Sequence, residues 1–237
     1  MTGVDSDLIV LGLTWFVVFL FSTTLHEAGH AFAAWRLGDP TAYEGGQVSL
    51  NPLPHIQREP FGMVLVPLIT FAISVNQGGW MMGWASAPYD PTWAHNYPKR
   101  AGVMAMAGPA ANLILVLLAG FLIRVGIAVG WFHVPFSFSF TRIVAGNGWA
   151  EGAAVPLSIL FMLNLLLFVF NLLPVPPLDG SAILPMFLND SANHRYQEIL
   201  HMPMLSLVGL LIAWQVFPYI FRPIYILALR ILYPGLL

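Results

Sequence analysis

The apolar residues of this chain fall into long runs, separated by short segments rich in glycine, proline and polar residues. A run of about 20 apolar residues is long enough to cross the ~30 Å hydrocarbon core of a bilayer as a helix. Four runs predict transmembrane helices, at 8–37, 101–131, 153–173 and 203–221. The pattern therefore predicts an all-α polytopic membrane protein, built as a single membrane-embedded domain over 1–237.

A further apolar run, 61–75, is too short for a full crossing and has Pro67 near its middle. As a helix it would rise roughly 22 Å, so we expect it to be re-entrant or half-inserted. The loop that follows, 76–98, contains three tryptophans that suit the level of the lipid headgroups. The last residues, 225–237, are expected to form an amphipathic or partly inserted tail.

The segment 43–56 has the composition of turns and a short strand. It contains two adjacent glycines, an alternation of polarity at 47–50, and then Asn51 and Pro52. This pattern predicts a short β-like hairpin beside the polar residues of the first span. A strand edge there could dock an extended peptide, and the alternative is an ordinary connecting hairpin.

Composition supports the membrane assignment and narrows the chemistry. Hydrophobic residues make up 58% of the chain and charged residues 8%, whereas a soluble domain carries about a quarter charged residues. The net charge of -2 and the lack of a long basic run argue against nucleic acid as a partner. Because the chain has no cysteine, a metal would be held by histidine and carboxylate groups. Residues 1–7 lack the basic start of a cleavable signal, so the first span is expected to remain as an anchor.

The first span contains the sequence His-Glu-Ala-Gly-His at 26–30. Ionisable residues are costly inside a bilayer unless they are paired or bind something. In a helix, His26 and His30 lie one turn apart on nearly the same face, so each can direct an imidazole nitrogen to one metal ion. Glu27 lies beside that pair and could take a proton from water without coordinating the metal. The pattern predicts a metal site, and the alternative is an accidental or structural cluster.

Further polar residues belong to the second and third spans. Asn112 could contact a substrate or the metal site, or it could form a hydrogen bond between helices. The third span ends at Asn171, before a proline-rich break that leads to Asp179. Broken backbone at membrane depth must be buried in protein or line a wet cavity. Asp179 is the expected third ligand, with a role as N-cap of the next helix as the alternative. His55 could approach as an additional ligand.

The predicted site constrains the topology. Asp179 can meet His26 and His30 only if the first and third spans run parallel, which requires that 61–75 does not cross the membrane. The basic residues then divide five to four between the two faces. On the side of the site they are Arg36, Arg58, Lys99, Arg100 and Arg195, and near the other side Arg124, Arg142, Arg222 and Arg230. This small excess favours a cytoplasmic site.

Three motifs in this order resemble the site-2 protease family of intramembrane zinc metalloproteases. They are the His-Glu-Ala-Gly-His motif, Gly-Pro-Ala-Ala-Asn at 108–112, and the proline-rich approach to Asp-Gly at 171–180. The chain resembles the compact members of the family, which carry no separate PDZ or CBS module. Similar proteins often have a lysine after Gly-Trp-Ala, where this chain has Ser86.

The resemblance implies one zinc ion per chain, held by His26, His30 and Asp179. It also implies Glu27 as the general base and a peptide bond of a transmembrane protein as the substrate. Within that mechanism, two residues are candidates for orienting the substrate or stabilising an oxyanion, namely Asn112 and Asn171.

Two other functions compete with this interpretation. A metal transporter would have histidine and acidic residues along several spans, whereas here they converge at one depth. A non-catalytic relative that binds transmembrane segments would not need Glu27, which is intact in this chain.

Overall fold

The computed structural model of the chain describes residues 6–189, 191–193, 195–196 and 204–235. The first five residues, which precede the expected anchor, and Pro203, the expected start of the fourth span, lie outside this part. In chain order the helices are α1 (Ser6–Leu37), α2 (Thr41–Glu44), α3 (Pro52–Arg58), α4 (Val66–Ser74), α5 (Pro91–Asn96), α6 (Pro98–Ala128), α7 (Glu151–Asn171), α8 (Asp179–Ile183) and α9 (Leu205–Leu232). Two further turns flank α4, a π-helical one at Phe61–Leu65 and a 3₁₀ one at Val75–Gln77.

Among the described residues, four helices are long and apolar enough to cross a membrane, namely α1, α6, α7 with the turn before it, and α9. The predicted helical membrane fold is thus confirmed. The fourth helix is longer than the predicted span, because α9 continues to Leu232 through Pro218 and Pro223. The expected amphipathic or partly inserted tail at 225–237 stays a prediction. A proline removes one helix hydrogen bond, but neighbouring groups can compensate and an apolar helix continues past it.

The short apolar run after the first span forms a bent pair of helical segments. Pro52–Arg58 and Phe61–Gln77 meet at an angle of 112°, with Pro60 at the break between them. Such a bend fits either a broken span or a re-entrant loop. The expectation that 61–75 does not cross the membrane therefore stays a prediction.

The predicted hairpin at 43–56 was wrong in its position. Gly46, with a φ of 73°, turns the chain after α2, and Asn51 caps α3 by accepting a hydrogen bond from the Leu53 N–H at 3.0 Å. Pro52 then occupies the first turn of α3, where its missing N–H costs nothing. The four alternating residues are too few to form a strand without a partner strand.

A small antiparallel sheet does exist in the part of the chain that is described, in the connection between α6 and α7. Strand β1 (Phe132–His133) pairs with β2 (Ala145–Gly146), with Phe132 opposite Gly146 and His133 opposite Ala145. This hairpin follows the end of α6, and Phe140 between its strands lies against Trp15 of α1, with the ring centroids 6.4 Å apart.

The chain divides into two compact units. One contains the residues up to Glu27, Ser49–Ser86 and Ile114–Asn164, and the other contains Ala28–Val48, Ala87–Leu113 and the residues from Leu165 onward. The division passes through α1, α6 and α7, so each of these helices contributes residues to both units.

The first unit joins α1 and α7 by a buried polar contact. Asn164 donates a hydrogen bond through Nδ2 to Ser22 Oγ at 2.9 Å, and both side chains are fully buried. In the second unit, two apolar clusters pack around the helix ends. One is formed by Ala34, Trp93 and Met104, and the other by Leu173, Leu178 and Ala213.

Candidate metal centre

The three polar residues of the α1 motif are all buried. His26, Glu27 and His30 are 7%, 6% and 5% exposed, respectively. Gly29, between them, lies against α6, where a Cβ would be 2.9 Å from the Ala107 carbonyl oxygen. The glycine of the motif therefore lets the backbones of α1 and α6 approach closely beside the second histidine.

A backbone carbonyl of α6 fixes the tautomer of His30. Its Nδ1 lies 2.8 Å from the carbonyl oxygen of Met104. A carbonyl can only accept a hydrogen bond, so Nδ1 is the donor, and Nε2 is the nitrogen that could bind a metal ion. This is the usual arrangement of a metal-ligating histidine, whose second nitrogen is held by a carbonyl or carboxylate.

The Nε2 nitrogen of His30 faces Asp179. The distance from His30 Nε2 to Asp179 Oδ1 is 3.3 Å. Two ligand atoms, each about 2.0 Å from a tetrahedral zinc ion, lie about 3.3 Å apart. The separation thus fits two ligands of one metal ion.

The chain brings Asp179 to this place through a short break after α7. Asp179 is the first residue of α8, and Leu178 is the N-cap, so the alternative role of Asp179 as N-cap is not observed. Gly180 lies against the two residues that follow α7. A Cβ at this position would overlap the carbonyl oxygens of Leu172 and Leu173. A side chain at that position would displace the aspartate.

Two further contacts hold the break. Gly209 of α9 lies against Pro176, whose carbonyl oxygen a Cβ at Gly209 would overlap. The Tyr196 hydroxyl donates a hydrogen bond to the Ser181 carbonyl oxygen at 2.8 Å. Burial raises the pKa of Tyr196, so the phenol stays protonated and remains a donor at neutral pH.

The histidines and the aspartate form one group that could hold a metal ion. Ligand atoms of His26, His30 and Asp179 all lie within 4.8 Å of one another, and no other such group occurs among the described residues. Two nitrogens and one oxygen leave a fourth position of a tetrahedral zinc ion open, as in catalytic zinc sites. His55 is not a member of this group. It is 1% exposed, and its Nε2 lies 3.2 Å from the Ser49 carbonyl oxygen.

The two predicted asparagines lie on helices of the site. Asn112 is fully buried in α6, and Asn171, half-buried, is the last residue of α7. Their roles toward a substrate stay predictions.

Three residues that join the helices of the site were not predicted from the sequence. Asn164 and Ser22 were detectable as polar residues in apolar spans, a common sign of an interhelical hydrogen bond. The Met104 carbonyl has no sequence signal, because any residue carries one.

Two histidines and an aspartate gathered beside a buried glutamate, on apolar helices, define a candidate metal site in a membrane-embedded helical protein. The model of peptidase family M50 matches residues 14–212, and the chain belongs to this family. Together with four candidate spans, this membership makes it a multi-pass membrane protein.

Similar proteins carry names that agree with this assignment. YwhC of Bacillus subtilis, named as a candidate zinc metalloprotease, is 36% identical over 169 residues, which cover 71% of this chain and 66% of YwhC. Rip2 of Mycolicibacterium smegmatis, named likewise, is 30% identical over 206 residues, covering 87% of this chain and 69% of Rip2. Rip2 of Mycobacterium tuberculosis is 32% identical over 169 residues, which are 53% of its length. No solved structure matches the chain significantly.

Proposed function

We propose that this chain is an intramembrane zinc metalloprotease that hydrolyses peptide bonds in transmembrane or membrane-proximal segments of other proteins. The observation that carries the proposal is the group formed by the buried His26 and His30 with Asp179, and Glu27 lies next to the first ligand on the same helix. Family membership and the names of the relatives support a zinc-dependent peptidase.

The residues divide the chemistry between them. A bound zinc ion would lower the pKa of water at its open position and polarise the scissile carbonyl. His26, His30 and Asp179 would hold the ion, and the Met104 carbonyl would keep His30 in the ligating tautomer. Glu27 would accept the proton of the attacking water and return it to the leaving amine.

Asn112 and Asn171 are the candidates for holding the substrate backbone or the developing oxyanion. An amide donor can supply about 3 to 4 kcal/mol to such a transition state. The slight excess of basic residues on the side of the site supports an orientation of the site toward the cytoplasm.

A transmembrane substrate must be unwound to be cut, and the segment 79–90 offers a place to hold it extended. This segment forms neither helix nor paired strand, and the helical segments before it bind its backbone at alternate residues. A helix rises about 6.0 Å over four residues, and an extended chain rises about 6.6 Å over two. Hydroxyls four residues apart on the helix are therefore spaced like alternate residues of an extended chain. The bonded pairs are Trp80 with Ser74, Met82 with Thr70 and Trp84 with Gly62, at 2.9, 3.0 and 3.2 Å.

The residues that alternate with these, Met81, Gly83 and Ala85, have backbone groups that do not bond to the helix. Successive residues of an extended chain direct their N–H and C=O groups to opposite sides. Within the described part of the chain, the N–H and C=O groups of Met81, Gly83 and Ala85 have no hydrogen-bond partner. These three residues, which we call the open edge, could pair with an extended substrate as a strand pairs with a sheet edge.

The open edge lies on the α1 face that carries the first ligand. A Cβ at Gly83 would be 2.7 Å from Cζ of Phe19. Phe19 precedes His26 by seven residues, which is about two helical turns and about 20° in azimuth. This placement supports the open edge as the docking element in place of the hairpin that was expected at 43–56.

The test separates the base from the ligands. In purified protein, Glu27→Gln should keep about one zinc ion per chain and lower cleavage of a model transmembrane peptide by ~10² to 10⁴-fold, because an amide cannot accept the proton. His26→Ala, His30→Ala and Asp179→Ala should each lose the zinc. The measurements are elemental analysis and product formation in liposomes.

The exposed Glu151 provides the matched control, and Glu151→Gln should behave as wild type. If Glu27→Gln cuts as fast as wild type, Glu27 is not the base. If wild type binds the peptide and never cuts it, the chain is a non-catalytic binding protein.

A further inference from the structure

One buried hydroxyl on α1 has no partner, and it lies next to Glu27. The Thr24 side chain is 2% exposed, and its Oγ1 is buried without a hydrogen bond. The other threonines of α1 behave differently. Thr14 donates to the Val10 carbonyl at 2.8 Å, and Thr23 donates to the Phe19 carbonyl at 2.8 Å.

The neighbouring threonine explains why Thr24 does not bond to its own helix. A threonine in an apolar helix usually donates to the carbonyl four residues earlier, which for Thr24 is that of Leu20. Thr23 Oγ1 lies 3.3 Å from this same carbonyl oxygen. A buried hydroxyl without a partner lowers stability, so its retention needs a reason.

Helix geometry places Thr24 beside the catalytic carboxylate. At about 100° per residue, four side chains of α1 fall within an arc of about 160°, in the order His26, His30, Glu27 and Thr24. Glu27 therefore lies between the histidine pair and the hydroxyl. Residues three apart on a helix have their Cβ atoms about 5 to 6 Å apart, which is within reach of a hydrogen bond between their side chains.

We propose that Thr24 is a positioning residue for Glu27, and that its hydroxyl donates a hydrogen bond to the Glu27 carboxylate when the metal site is loaded. This inference rests on the proposed role of Glu27 as the base. A hydrogen bond from Thr24, on the side away from the histidines, would hold the Glu27 carboxylate in one rotamer that faces the attacking water. The hydroxyl would gain a partner in the loaded state alone.

The first readout is thermal stability, and it does not need activity. Thr24→Val removes the unpaired hydroxyl at nearly constant volume, so it should raise the Tm of the zinc-free protein by about 2 to 4 °C. In the zinc-loaded protein that gain should disappear, because the hydroxyl would then be bonded. Thr23→Val is the matched control. It removes a bond that exists in both states and should lower the Tm equally in both.

The second readout is kinetic. Thr24→Val should lower kcat for a model transmembrane peptide about tenfold, with KM and zinc content unchanged. Thr24→Ser keeps the donor and should restore most of kcat, whereas Thr23→Val should leave kcat unchanged. A rise in KM at constant kcat would overturn the inference, since the hydroxyl would then bind substrate. Equal Tm gains in both zinc states would also overturn it.

The two proposals can fail separately. If wild type never cuts a peptide, the proposed function fails, and the Tm comparison still decides whether Thr24 gains a partner on zinc loading. If wild type cuts and Thr24→Val cuts equally fast, the proposed function stands and the role of Thr24 is refuted.

Discussion

Two non-helical segments of this apolar chain differ in how far their backbone N–H and C=O groups are hydrogen-bonded within the chain. The break between α7 and α8, at 172–178, bonds its own backbone groups. Val175 N–H donates to the Leu173 carbonyl at 2.8 Å, and Leu178 N–H donates to the Val175 carbonyl at 3.0 Å. Leu173 and Leu178 are buried in one cluster with Ala213 of α9. The break is closed, and Asp179 directly follows it.

The segment 79–86 is the open counterpart. It is fixed on one side by the hydroxyls of Ser74 and Thr70, and its alternate residues leave their backbone groups without partners in the described chain. In hydrocarbon such groups would each cost several kcal/mol, so they need protein or water.

The difference follows from what each segment has to do. A metal ligand must be held within a fraction of an ångström. The backbone that leads to Asp179 is fixed by its own hydrogen bonds and by the burial of Leu173 and Leu178. A docking edge must instead leave donors and acceptors for a partner. Rigid support from one side then lowers the entropy lost when the partner binds.

A side chain added at Gly180, which is in close contact with the break, should have the largest effect on zinc affinity and stability. Gly180→Ala would overlap the carbonyls of Leu172 and Leu173, and so displace Asp179. We expect zinc affinity to fall about 10 to 100-fold and the free energy of unfolding to fall by ~1 to 3 kcal/mol.

The control for Gly180→Ala is Gly152→Ala, at the second position of α7, where a Cβ would meet nothing within 4 Å. That substitution should leave zinc affinity unchanged and stabilise by up to ~1 kcal/mol. Metal titration and chemical denaturation measure both effects. Equal behaviour of the two variants would show that the break tolerates movement, and the contrast with the open segment would fail.

Proline substitution should have a smaller effect, and it tests the open edge. Ala85→Pro removes an N–H that faces away from the helix. Loss of one hydrogen bond, worth ~1 kcal/mol, should raise KM for a transmembrane peptide about fivefold and leave the Tm unchanged. Met82→Pro removes an N–H that bonds to Thr70 Oγ1 at 3.0 Å, so it should lower the Tm by about 2 to 4 °C instead. If Ala85→Pro leaves KM unchanged, the substrate does not dock on this edge.

The two segments also differ in how far the sequence could reveal them. The proximity of His26 and His30 follows from helix geometry alone. The break could be predicted from the three prolines before Asp179. The structure brings these three residues close enough to hold one metal ion. The spans could also be predicted from the sequence, because the thickness of the hydrocarbon core sets their length.

The open segment could not be predicted from the local sequence pattern. Its support comes from Ser74 and Thr70, whose hydroxyls act through tertiary contact and have no signature in 79–86 itself. The alternation at 47–50 instead predicts a strand, whereas in the structure Asn51 and Pro52 begin a helix. For the same reason, the Met104 carbonyl that orients His30 could not be foreseen.

The smallest effect on function is expected from a labelling experiment that asks whether both ends of the bent pair lie on one side of the membrane. An open backbone edge requires access to water or a partner, and a re-entrant pair would provide this from a single face. Gln57 and Asn76 are exposed near the two ends of the pair, and the chain has no cysteine of its own. Gln57→Cys and Asn76→Cys should each keep full cleavage activity, and both should react with a membrane-impermeant maleimide from the same side.

The reference positions for that experiment are Ser191→Cys, expected on the same side, and Ser137→Cys, in the connection between α6 and α7, expected on the other. Both serines are exposed. If Gln57→Cys and Asn76→Cys react from opposite sides, the bent pair crosses the membrane. The first and third spans would then run antiparallel, which would bring the ends of α1 and α7 to different faces and contradict a shared metal site for His30 and Asp179.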